Sequence, residues 1–87
     1  MLKKENRLTM RKLKLIWDFR GPYGEKTAEH HVVHLKDYIR MNKLNVTIFG
    51  VESVNEMHHL AYLVCEEPDM PSLRDALKPH RGQVFQD

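Results

Sequence analysis

Cysteine is all but missing from this chain of 87 residues: Cys65 stands alone, so no internal disulfide can form. It lies inside an apolar, strand-like run, where a thiol behaves as a small hydrophobe rather than a reactive group. Long apolar runs are missing too, and without one no helix can span a membrane. The start shows no apolar stretch behind its positive charges, so a secretory leader is not expected. No glycine-rich phosphate loop, cysteine cluster or nucleophile–base pair occurs anywhere. These absences point away from an enzyme, predict no resident cofactor, and fit a reducing cytoplasm.

What is present is unevenly charged. Residues 1–14 hold Lys3, Lys4, Arg7, Arg11, Lys12 and Lys14 against Glu5 alone, while the rest of the chain has eight basic and eleven acidic side chains. Residues 1–11 therefore read as a basic arm, a frayed terminus rather than a functional one, ahead of a single domain over 12–87. Met10 is an alternative start, which would leave residues 1–9 untranslated.

Hydrophobic periodicity divides the domain into elements. In "LKLIWDF" (13–19), Leu13, Leu15, Trp17 and Phe19 alternate with Lys14, Ile16 and Asp18, the period of a strand with one buried face. "RGPYG" breaks it. From Glu25 to about Met41 the period is helical: Ala28, Val32, Leu35 and Ile39 form one stripe. "NVTIFGV" (45–51) predicts a second strand, "ESVNE" a hairpin connection, and "MHHLAYLVCE" (57–66) a third strand. A short helix follows, with Asp69 as N-cap, Pro71 in its first turn and Pro79 as its stop. "GQVFQ" (82–86) closes the chain as a fourth strand.

The order βαββαβ resembles the ferredoxin-like α+β arrangement, in which two helices cover one face of a four-stranded antiparallel sheet. That resemblance implies strand order 4-1-3-2; strands 1 and 3 are expected at the centre, side by side and parallel. It carries no function with it. Helices cover one face only, so the other is open. Ile16, Leu60, Tyr62 and Val64 are expected there as an apolar patch mixed with Lys14, Asp18 and His58. Ile16, Asp18, Leu60, Tyr62 and Val64 are accordingly the candidate interface, and homodimerisation about a two-fold axis is the expected use of it. An RNA-recognition sheet shares this topology, but Tyr62 alone would offer a ring on the open side, so nucleic acid is not the expected partner.

Two histidine groups remain, "EHHVVH" on the first helix and "MHH" at the start of the third strand. His30 and His34 have the i, i+4 spacing of a two-imidazole metal site, with Asp37 one turn further on as third ligand or acceptor, and Zn²⁺ or Ni²⁺ as the metal. No glutamate stands where a zinc hydrolase needs its base. His59 is expected near Met41 or Tyr38 at the end of that helix, and His31 on the boundary of its apolar stripe. Asp18 and Arg20 share a strand face and can pair; with Tyr62, Asp18 is the acid–base candidate of an enzyme reading. The function expected overall is a small self-associating module that binds a protein or a ligand, with metal or small-molecule binding through the first helix as the alternative.

Overall fold

The computed structural model describes residues 11–86; the basic arm over 1–10, with its alternative start, lies outside the described residues. Arg11, the arm's last residue, belongs to the domain: its Nη2 meets Glu67 Oε2 at 2.9 Å and its carbonyl accepts from the Glu67 N–H. The elements are β1 (Lys12–Arg20), α1 (Gly24–Met41), β2 (Phe49–Asn55), β3 (His58–Glu66), a 3₁₀ turn (Glu67–Asp69), α2 (Met70–Leu77) and β4 (Arg81–Phe85). They form one sheet in the order β2-β3-β1-β4, with both helices on one side. This is the ferredoxin-like arrangement the element order implied, its 4-1-3-2 order read from the opposite edge.

The alternation in β1 sets the layers. Leu15 and Trp17 face the helices and join Ala61, Leu63 and Cys65 of β3, Leu35 of α1 and Leu73 of α2 in one core. α1 buries Ala28 and Leu35 completely and Ile39 almost so, as its stripe predicts. It starts one residue earlier than its periodicity shows, on Gly24. A Cβ at that position would lie 2.7 Å from the Phe19 carbonyl oxygen, so glycine is what lets the helix begin tight against the end of β1. α2 buries only Leu73 fully, with Met70 and Leu77 packed partly buried against the core, and leaves the β1–β4 half of the sheet thinly covered.

Two expectations about the strands are corrected. β2 runs over 49–55 and not 45–51: the polar "ESVN" continues the strand, and the turn is the pair Glu56–Met57, where Asn55 Oδ1 accepts from the Met57 N–H at 2.8 Å. β2 is an edge strand, so it keeps its pairing while four of its seven residues are exposed, and an apolar pattern is a poor guide to it. Secondly, β1 and β3 are central but antiparallel, with Lys12 opposite Glu66 and Arg20 opposite His58. The α1 crossover returns the chain parallel to β1 in β2, and the hairpin then reverses it, so β3 must oppose β1.

That reversal also moves His59. It lies opposite Phe19, with its Nδ1 about where a Gly24 side chain would touch it, 3.4 Å away. His59 therefore sits at the beginning of α1, not beside Met41 or Tyr38 at its end.

Candidate functional site

The open face carries the residues expected there. Ile16 is opposite Tyr62, Asp18 opposite Leu60, and Lys14 opposite Val64. The apolar ones, however, are covered within one protomer: Ile16, Leu60 and Val64 keep only 2%, 6% and 5% of their exposure. An exposed apolar patch was expected here; these three side chains are buried instead, and the polar side chains between them are paired with one another. Lys14 Nζ lies 4.5 Å from the centre of the Tyr62 ring and 2.7 Å from Glu52 Oε1. Tyr62 in turn leans over Gly50 of β2, whose missing side chain leaves room for the ring.

At the far end of this face, Asp18 is held from three directions. His58 Nε2–H donates to its Oδ1 at 2.7 Å; Arg81 grips both carboxylate oxygens, Nε to Oδ2 at 2.8 Å and Nη2 to Oδ1 at 3.1 Å. Its backbone N–H donates to His80 Nδ1 at 2.9 Å. Arg20 takes no part in this. β4 supplies the arginine instead: Arg81 stands opposite Ile16, diagonal to Asp18, and its long side chain reaches the carboxylate. The Arg81 hydrogen bonds, with those of His58 behind them and against partial burial, hold the Asp18 carboxyl far below the usual carboxylate range. A carboxylate so stabilised is a poor proton acceptor at neutral pH, which removes the acid–base role considered for it.

His30 and His34 are exposed, and Asp37 pairs with Arg40 at 3.1 Å. Among the described residues no group of three or more His, Cys, Asp or Glu side chains is placed to hold a metal ion. His31 turns inward, its ring 4.8 Å from that of Trp17 and 5.6 Å from that of Phe19, with Nε2 buried and lacking a hydrogen-bond partner among the described residues. Burial, then the proximity of His34 and His80, pushes its pKa down. Cys65 is buried as expected; desolvation, followed by Asp69 and Glu66, raises its thiol pKa to about 11, so it stays protonated.

A concave feature lies on the helix side, where α2 leaves β4 uncovered. A cavity of about 470 Å³ opens between them. Leu13 and Leu15 of β1 form its floor, Met70 and Pro79 flank it, and Val84, opposite Leu13 and 46% exposed, forms its outer wall. Gly82, opposite Leu15, keeps the wall low. A Cβ there would make ordinary contact with Leu15 Cδ2 at 3.5 Å, so a larger side chain would enter the cavity without displacing backbone. Arg74, His80, Arg81 and Gln83 complete the lining. The groove is also wired to the core. Trp17 Nε1–H donates to the carbonyl of Leu77, the last residue of α2, at 2.9 Å.

Nothing in the local sequence marks this groove. Leu13 and Val84 are remote in the chain and meet only through strand register, and α2 must be seen to be short and shallow before a gap beside it exists. His80 and Arg81 follow Pro79 without any pattern that singles them out, and nothing local marks them as partners of Asp18. In comparisons with known proteins, no family model, curated protein or solved structure matches this chain.

Proposed function

We propose that this domain is a binding module whose ligand occupies the groove between α2 and β4. One observation carries the reading: a cavity of about 470 Å³ with an apolar floor and a few polar groups around it, within the size range and character of small-molecule sites. The module belongs to the ligand-binding half of the expectation drawn from the sequence. Self-association through the open sheet face has less support, because Ile16, Leu60 and Val64 are already buried and a second copy would gain little from them. No helix among the described residues is long and apolar enough to cross a membrane. A lone, buried cysteine is compatible with a cytoplasmic setting.

The test is a methyl NMR titration of the full chain with small apolar compounds of neutral, anionic and cationic kinds. Saturable shifts at Leu13, Leu15 and Val84, abolished in Gly82→Leu at unchanged melting temperature, are the expected outcome. Shifts confined to the open face, or persisting in Gly82→Leu, would sink the proposal.

A further inference from the structure

We infer that the ligand of this groove is a small amphipathic acid, its carboxylate held by Arg74 and His80 and its aliphatic or aromatic body laid on Leu13, Leu15, Met70 and Val84. The inference rests on the groove being the binding site and concerns what that site selects. Among its lining residues are three basic side chains and no acidic one. Their charges are not equally available. Arg81 spends its guanidinium on Asp18, closing a two-bond ion pair on the opposite face of the sheet. Arg74 is different: its guanidinium makes one long contact among the described residues, Nε to Asp75 Oδ1 at 3.5 Å, and its side chain is 55% exposed. A planar fork so weakly engaged at the rim of an apolar cavity is suited to a carboxylate, which it can take with two parallel hydrogen bonds.

His80 adds a donor whose polarity is set by the fold. Its Nδ1 accepts the Asp18 backbone N–H, which requires a lone pair at that nitrogen. The neutral ring must then carry its proton on Nε2 and can only donate from there. The His80 backbone N–H is itself tied to the Ile16 carbonyl at 2.9 Å, so the residue is anchored on both sides. A weakly engaged cation, a fixed donor and an apolar floor select against cations and against neutral apolar molecules. The apolar floor likewise disfavours small inorganic anions, which have nothing to lay on Leu13 and Leu15.

The experiment compares octanoate, 1-octanol and octylammonium, which share one chain and differ in head group, by methyl NMR on the full protein near neutral pH. Octanoate is expected to bind about ten-fold or more tighter than octanol, with octylammonium weakest. Arg74→Gln, at an exposed position, should bring octanoate to the affinity of octanol and leave octanol unchanged. Equal affinities for the three, or an octanoate affinity untouched by Arg74→Gln, overturn the inference while leaving the groove in place. Failure of every compound to shift Leu13, Leu15 and Val84 removes the groove itself, and the inference with it.

Discussion

At the scale of single residues, His31 is the position where chemistry and packing disagree most. It occupies an inward position on α1 against Trp17 and Phe19, with Nε2 buried and without a hydrogen-bond partner among the described residues. A polar nitrogen without a partner costs about 1–3 kcal/mol in such a place. Its pKa in the fold is lowered, so the unfolded chain binds a proton more readily. The stability contributed by neutral His31 is therefore complete above the ordinary histidine value, about 6.5, and is lost as pH falls below it. His31→Leu is expected to raise stability at about pH 6 by roughly 1 kcal/mol and to flatten the decline between about pH 7 and pH 5. Urea unfolding across that range reads both effects. A destabilised Leu variant would mean that Nε2 has a partner, such as an ordered water.

At the scale of elements, α2 is the weak member. It is eight residues long, it buries Leu73 alone, and its end depends on a residue in an unfavourable conformation. Lys78 closes the helix at φ 53° and ψ 56°, its N–H bonded to the Arg74 carbonyl. A side chain at left-handed φ is strained, and glycine is the usual occupant of that place. Lys78→Gly is expected to stabilise the domain by about 0.5 kcal/mol or more, after allowance for the extra freedom of glycine in the unfolded chain. A shift of the urea midpoint at unchanged slope would show it; a loss of stability would mean that the Lys78 side chain contributes more than its backbone costs. The helix N-terminus was legible from Asp69 and Pro71, although no side-chain bond from Asp69 caps it. The bounds of β2 were not legible, because an edge strand need not carry a buried face.

At the scale of the whole molecule, Asp18 joins three strands: β1 through itself, β3 through His58 and β4 through Arg81. Its carboxyl titrates far below its unfolded value, so the stability it contributes is present above about pH 4 and lost as pH falls below it. Asp18→Asn is expected to cost about 1–2 kcal/mol near neutral pH, at the lower end for charged hydrogen bonds because half of Arg81 is in water. It should also shrink the acid dependence of unfolding. Thermal melts of the two proteins from about pH 6 to pH 2 check this, and parallel acid curves would count against the assigned role. His80 beside the groove is held by the Asp18 backbone N–H and the Ile16 carbonyl, both of which the Asn variant keeps, so ligand binding in the groove should change little.

Much was determined by the sequence by itself: the βαββαβ order, the buried side of β1, the stripe of α1 and the presence of one inert thiol. These follow from periodicity and composition, which are local and survive without knowledge of contacts. The direction of β3 against β1 did not follow from any local pattern. It comes from counting chain reversals, and the misplacement of His59 at the wrong end of α1 came from that one point. Only the tertiary structure decided that Ile16, Leu60 and Val64 are buried, that Asp18 meets Arg81 rather than Arg20, and that a cavity lies beside α2. Each is a matter of register and of how far one element reaches over another, which depends on residues tens of positions apart being brought within a few ångströms.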